Sequence, residues 1–306
     1  MKKICYLSLV LLLPAIAQSQ TKNKLGMLEY LVNATVKIQT VDSVVKQDGK
    51  EVLYGGYSTG FFFLLDTRNG KVPSIITTRT AVQSAQSLNF FFLEADSAGM
   101  PLYGKERQVT IARKELPIFF HPEPNVDLAL IPINPVIDGL ARQKIRISYH
   151  SLDESIIPSD SVMNTLNVSE DLMMIGHPAG IRPEFNGVPF IKKGVSATPM
   201  FLDYHQQKEF LADIPLYDGA AGAPVILYQI NYNDRYDKRT IAQRLFLVGI
   251  NYGALSDGYS KKTVPRVTHV LNGQEQGSAE KMFDAAIIVK SQKIRGFKKL
   301  LDALKK

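Results

Sequence analysis

Residues able to do chemistry are sparse in this chain, and the stretch that most constrains its backbone is Leu211–Ile226. A short apolar segment there runs into Asp218-Gly219-Ala220-Ala221-Gly222-Ala223, and Pro224-Val225 opens a new apolar run. Glycines and alanines packed this closely describe a backbone that turns sharply or admits a close neighbour. Such a turn can aim backbone N–H groups at an anion, yet Gly219–Ala223 carries no hydroxyl, thiol or imidazole. The five histidines are His121, His150, His177, His205 and His269. No two have helical metal-ligand spacing, and no phosphate-cradling Gly-x-x-x-x-Gly-Lys occurs, so neither a metal nor a cofactor is expected. Ser58, Ser196 and Ser256 read as ordinary strand or loop serines.

The chain has 36 Lys+Arg against 29 Asp+Glu and a formal net charge of +7. Its first 20 residues have the pattern of a secretory signal: a basic start at Lys2-Lys3, an apolar core from Leu7 to Ile16, and a small-x-small site at Ala15-Ile16-Ala17. Cleavage near Ala17 would lower the net charge to +5, a modest value that favours solubility and names no partner. The sole cysteine, Cys5, lies inside this segment and well before the small-residue site. That placement argues against a lipoprotein anchor and leaves the mature chain without a disulfide or thiolate ligand. Nothing after residue 20 is long and apolar enough to span a bilayer. The expectation is an exported protein, periplasmic or secreted, with no nucleic-acid partner. Asn33-Ala-Thr35 and Asn167-Val-Ser169 match the glycosylation triplet by spacing, and chance explains both.

Apolar periodicity supplies the elements that would hold the turn. Leu25, Leu28, Leu31 and Val32 predict a short leading helix over 24–32. Alternation predicts a strand at Thr35–Val41, and Asp48-Gly49 predicts a hairpin between Val44-Val45 and Val52-Leu53. Further strands are expected at Tyr57–Leu65, Pro73–Thr78, Leu88–Leu93, Val109–Ile111, Asn125–Ile133, Glu170–Gly180, Phe190–Ala197 and Leu245–Gly253. Ile294, Phe297, Leu300, Leu301 and Leu304 lie on one face of an amphipathic terminal helix over 291–306. By composition and periodicity the chain is mostly β with a terminal helix.

Several of these stretches, in this order, resemble the trypsin-like serine peptidases of the bacterial Deg type. Gly219 and Gly222 match the nucleophile turn Gly-x-Ser-Gly-Gly-Pro-Val, with Ala221 at the serine position and Ala223 at the second glycine of the pair. Tyr57–Leu65 and Pro73–Thr78 are similar to the family's opening strands, Asp127-Leu-Ala-Leu to its Asp-Leu-Ala-Val-Leu strand, and Gly176-His-Pro-Ala-Gly180 to its Gly-Tyr/Phe-Pro-x-Gly turn. The resemblance runs from about residue 34 to the end. It implies an all-β double barrel: two six-stranded antiparallel barrels with a cleft between them, an N-terminal helix and a C-terminal amphipathic helix. The lobes would be residues 21–165 and 166–306 after a signal at 1–20. It also implies a triad at Thr80, Asp127 and Ala221, oxyanion-type donors at the N–H groups of Gly219 and Ala221, and a groove wall at Gly249, Ile250, Asn251, Tyr252 and Gly253.

Two of the three triad positions hold residues that cannot do the family's chemistry. Thr80 stands where the histidine belongs, and a threonine is not a general base near neutral pH; Ala221 offers no nucleophile. The implied function is a pseudopeptidase: an inactive homologue acting as a peptide- or protein-binding module, with partner and oligomeric state open. One alternative is a hydrolase with an unorthodox constellation, such as Thr80 with Asp127. Another is a structural envelope protein whose cleft is plugged by the insertions at 41–56 and 229–243.

Overall fold

The structure is a computed structural model that describes residues 25–47, 50–179, 187–233, 241–255, 269–270 and 285–303. The signal-like segment, Cys5 and Ser256 lie outside these residues. In chain order the elements are α1 (Met27–Val32), β1 (Thr35–Gln47), β2 (Lys50–Thr67), β3 (Gly70–Thr77), α2 (Arg79–Val82), β4 (Ser87–Ala95), β5 (Pro101–Ala112), β6 (Phe119–Phe120), β7 (Ala129–Pro132), α3 (Asn134–Arg142), β8 (Leu152–Asp153), α4 (Asp160–Met163), β9 (Asp171–Gly176), β10 (Phe190–Ser196), β11 (Glu209–Asp213), β12 (Pro224–Asn233), β13 (Ile241–Ala254), β14 (His269–Val270), β15 (Ala285–Lys290) and α5 (Gly296–Ala303). Among the described residues no helix is long and apolar enough to cross a membrane.

The chain is mostly β, in two units. β9–β13 and β15 close a six-stranded antiparallel barrel in the order β10-β11-β15-β13-β12-β9. The first unit differs from the expected six-stranded barrel. It is a nine-stranded sheet following β5-β4-β1-β2-β3-β7-β6, with β8 and β14 also paired to β2. The cause is the length of β1 and β2, which remain paired from Thr35↔Phe61 out to Gln47↔Lys50. β14 pairs with the ribbon at Tyr54–Gly55, and β8 takes the β2 edge at Phe63–Leu64, beyond Phe61 where β1 has ended. Residues 41–47 and 50–56 are therefore strand, paired with each other in a ribbon. β14 comes from the second half of the chain, and α5 also returns to the first unit, where Asp302 accepts a 2.8 Å bond from Arg68 N–H.

Apolar residues on both faces of a strand explain how the two units join. In the barrel, Leu172, Met174, Val225, Leu227, Ala286 and Ile288 point inward. Their neighbours Met173, Ile175, Ile226, Ile287 and Val289 point outward, into a core shared with Phe61, Phe63, Leu65, Ile76, Leu128 and Leu130 of the first sheet. Phe62, on the other face of β2, packs with Val36, Ile38, Ile75 and Phe90 in the first unit's own core. Strands sandwiched this way read as continuous apolar runs rather than alternating ones. The shared core sets the first sheet against the barrel along β2, and the small-residue turn lies on that seam.

Candidate functional site

The Asp218–Gly222 turn is held by one residue of the first sheet. Thr59 N–H donates to Ala221 O at 2.8 Å, and Thr59 Oγ1 donates to Gly219 O at 2.8 Å. The same hydroxyl accepts from His177 N–H, and Thr59 O accepts from Thr77 Oγ1, each at 2.8 Å. The glycines make this approach possible. Gly222 has φ +85°, and a Cβ there would lie 2.0 Å from Thr59 O. Gly219 has φ +94°, with His177 O 2.3 Å from its would-be Cβ. An L side chain fits neither the dihedrals nor the space.

Within the turn, some N–H groups have acceptors and others do not. Ala220 N–H bonds Tyr217 O, Gly222 N–H bonds Asn251 O at 2.7 Å, and Ala223 N–H bonds Ala220 O. Among the described residues no acceptor lies within bonding distance of Gly219 N–H or Ala221 N–H. Asn251, buried on β13, braces the turn a second time through its Nδ2, which donates to Ala220 O at 2.9 Å.

Thr80 and Asp127 come together at the start of α2. Asp127 Oδ1 accepts the Thr80 backbone N–H at 2.8 Å and the Thr80 hydroxyl at 3.1 Å. Asp127 Oδ2 is buried and has no partner among the described residues. Burial raises the Asp127 pKa above the ordinary carboxylate value, against the lowering effect of the two Thr80 bonds and of Arg79. Arg79 holds the Asp127 loop in place: its guanidinium donates to His121 O at 2.8 Å and Pro124 O at 3.3 Å, and lies over the Phe120 ring. His121 donates or accepts only toward backbone, at Lys293 O and Glu123 N. Thr77 Oγ1, three residues before Thr80, is 2.5 Å from the would-be Cβ of Gly222, so the start of α2 and the turn share one wall.

The stretch Gly249–Gly253 lies in β13, but most of it is internal. Gly249 and Ile250 pair with Val225 and Pro224 of β12 on one side and with Lys290 and Val289 of β15 on the other. Ile250, Asn251 and Tyr252 are buried, and the Tyr252 hydroxyl donates to Glu209 at 3.2 Å. The last contact on the β12 side is Asn251 N–H to Ala223 O. Beyond it, past a register shift at Tyr252, Gly253 and Ala254 keep β15 on one edge and have no strand on the other among the described residues. Among the described residues, a wall open to an incoming strand is thus confined to Gly253 and Ala254.

The remaining candidates have structural surroundings. His177 is buried, with Nε2 3.2 Å from Thr35 Oγ1; burial, aided by Lys37, pushes its pKa down to about 3. It lines a cavity of about 20 Å³ with Thr35, Phe62, Phe92 and Pro189, room for roughly one water. Ser196 accepts from Glu170 N–H at 2.9 Å, an ordinary strand contact. Among the described residues no His/Cys/Asp/Glu group is arranged to hold a metal. Sequence reasoning missed Thr59 and Arg79, and placed Asn251 on a groove wall rather than as the brace of the turn. Thr59 carried one usable signal, its place beside Gly60 at the head of an apolar run; Arg79 carried none.

No family model matches this chain, and no curated protein matches it. Solved structures do. The Rv3671c protease of M. tuberculosis, as a serine-to-alanine mutant in an inactive form, is similar at 11% identity and a TM-score of 0.41, over 90% of each chain. The MamO protease domain from Magnetospirillum magneticum is similar at 13% identity and a TM-score of 0.43, over 89% of this chain and 98% of that one. The HtrA-type protease AlgW, solved with a decapeptide, is similar at 10% identity and a TM-score of 0.44, over 85% of this chain and 60% of that one. All three are proteases.

Proposed function

We propose that this chain is an exported peptide-binding module on a trypsin-like fold, unable to hydrolyse by the serine–histidine–aspartate route. The observation that carries the reading is the pairing of a formed turn with missing reactive groups. Among the described residues nothing accepts from the N–H groups of Gly219 and Ala221, while Ala221 has no hydroxyl and Thr80, not an imidazole, occupies Asp127 Oδ1. That mechanism needs a hydroxyl nucleophile and a base to take its proton; neither is supplied. Binding needs neither. An extended peptide adds to an open strand edge through main-chain bonds, and Gly253–Ala254, which have no strand on their outer side among the described residues, follow Asn251, the residue that braces the turn. Export rests on the basic start, apolar core and small-residue site of the first 20 residues. Intact mass of the chain from an envelope fraction checks it: a chain that retains Lys2 and Lys3 is not exported by this route.

The test is labelling of the purified protein with a fluorophosphonate probe, beside the double variant Thr80→His, Ala221→Ser. The wild type is expected to stay unlabelled. The double variant is expected to label, with the new imidazole donating to the vacant Asp127 Oδ2. A labelled wild type overturns the reading. The Thr80 hydroxyl on Asp127 favours one second reading, an unorthodox hydrolase, under which the label sits on Thr80 and disappears in Thr80→Val.

A further inference from the structure

His121 ties the C-terminal end of the chain to the loop that carries Asp127, and it does so with both nitrogens of its ring. The residue is 2% exposed. Its Nε2 lies 3.0 Å from Lys293 O, in the 3-10 turn Ser291–Arg295, and its Nδ1 accepts the Glu123 backbone N–H at 3.2 Å. A carbonyl only accepts and an amide N–H only donates, so these partners fix the neutral tautomer with its proton on Nε2. The ring has little room to turn. A Cβ on Gly296 would stand 2.2 Å from Nε2, and Phe297 meets the ring edge-on at 5.4 Å between centroids. At the backbone, His121 O accepts from Arg79, which also holds Pro124 O. Arg79 directly precedes Thr80, whose N–H and hydroxyl bond Asp127. One neutral ring therefore joins α5 to the start of α2.

A second proton would have to sit on Nδ1, against the Glu123 N–H. The charged groups facing the ring are Glu123 from its own loop and Lys293 from the 3-10 turn, paired with each other at 2.5 Å. Arg79 faces the carbonyl from α2, and α5 meets the ring with uncharged Gly296 and Phe297. Turning the ring away from the Glu123 N–H breaks the bond to Lys293 O. Swinging the Glu123 carboxylate in to receive the proton breaks its ion pair with Lys293. Either way a link to the C-terminal segment is lost. We propose that His121 is an acid-released latch, whose protonation at Nδ1 frees Ser291–Ala303 from the loop that carries Asp127. Burial lowers the His121 pKa from its ordinary value, and the Lys293 O bond and Glu123 offset part of that. The closed form is thus favoured above the ordinary imidazole value and weakens as pH falls below it. In the open form the ring titrates near 6.5, so the open population grows about tenfold between pH 7.5 and 5.5 while the closed form stays neutral. Ile294 and Phe297, both fully buried, keep the open form a minor one, so amide exchange is the way to see it. Neither the cleft nor a ligand takes part, so the latch and peptide binding fail independently.

The experiment is residue-resolved amide hydrogen exchange of the mature chain at pH 7.5 and 5.5, corrected for the intrinsic pH dependence of exchange, beside His121→Gln. The glutamine amide can donate to Lys293 O but does not titrate. Between the two pH values, protection of the α5 amides and of the Glu123 N–H is expected to fall about tenfold more in the wild type than in the variant. Both proteins keep His177, so its own acid effect cancels in the comparison. An equal fall in the two proteins overturns the latch. Should His121→Gln not fold, the wild-type ring decides. Its ¹H–¹⁵N correlations are expected to show a proton on Nε2 and none on Nδ1 at pH 7.5, with the Glu123 and α5 amides shifting as the ring titrates. A ring protonated on Nδ1 at pH 7.5, or one that titrates with no change at Glu123 and α5, overturns it as well.

Discussion

Replacing Gly222 by alanine tests whether the turn is as tightly built as its contacts imply. At φ +85° an L residue costs about 1–2 kcal/mol of backbone strain. The added Cβ would stand 2.0 Å from Thr59 O and 2.5 Å from Thr77 Oγ1. Those partners belong to backbone and to a bonded, buried hydroxyl, so they cannot swing aside, and overpacking of this kind adds about 1–3 kcal/mol. The total is about 2–5 kcal/mol, which lowers Tm by roughly 5–15 °C in a protein of this size. Gly70→Ala is the control. Its φ of +111° is also left-handed, but nothing lies within 4 Å of its would-be Cβ, so strain acts alone at about 1–2 kcal/mol. Urea unfolding of both variants against the wild type separates the two contributions. If Gly222→Ala loses no more stability than Gly70→Ala, the close approach of Thr59 and Thr77 is not a constraint, and the argument that they hold the turn is wrong.

Four further outcomes are expected. Arg244 donates to both carboxylate oxygens of buried Glu170, and Gln229 and Asn167 join them; Arg244→Met should cost about 3–5 kcal/mol by leaving the charge unpaired, measured by urea unfolding. Adding Glu170→Gln should recover part of that loss. The raised pKa of Asp127 means that its contribution is fully present below the unfolded carboxylate pKa and is lost as pH rises through the folded value; Asp127→Asn should remove this loss from the pH profile of Tm. His177, with a pKa of about 3, should stay neutral down to pH 5, so that its ring proton shifts do not move between pH 8 and 5. Because its unfolded form takes up a proton near pH 6.5, His177 also makes stability decline as pH falls below that value, and His177→Gln should weaken this acid decline.

Local chemistry made the turn, the β1–β2 hairpin and most strands legible. Glycine spacing located residues 218–222, alternation located β1, and apolar runs located β4 and the start of β12. Strand lengths were less legible: Val109–Ile111 proved to be the end of β5, which begins at Pro101. Its exposed middle, Lys105–Gln108, is what a charged sheet edge looks like, and polar residues there hide a strand from a hydrophobicity reading. β15 carried a clear apolar run, Ala285–Val289, that the reading passed over. β8 and β14 were out of reach, because two-residue strands depend on a partner far away in sequence. Buried polar residues misled in the opposite sense. Lys37, Gln39 and Asn89 alternate with apolar neighbours as a solvent face would, yet all three are buried, with Asn89 and Gln39 bonded to each other. For the site, Thr80 beside Asp127 was legible by analogy, whereas the interior pairing of Gly249 and Ile250 depended on β15.

Thr59 has a consequence for how this turn tolerates change. It bonds Gly219 and Ala221 through their carbonyls, and His177 through its N–H, so the turn keeps its shape without help from the side chain at 221. The shape belongs to the seam between sheet and barrel, not to any reaction. In a saturation library scored for folding alone, position 221 should accept many side chains, while 219, 222 and 59 should accept almost none. A hydroxyl at 221 can thus be lost or regained in one step with the surrounding architecture untouched.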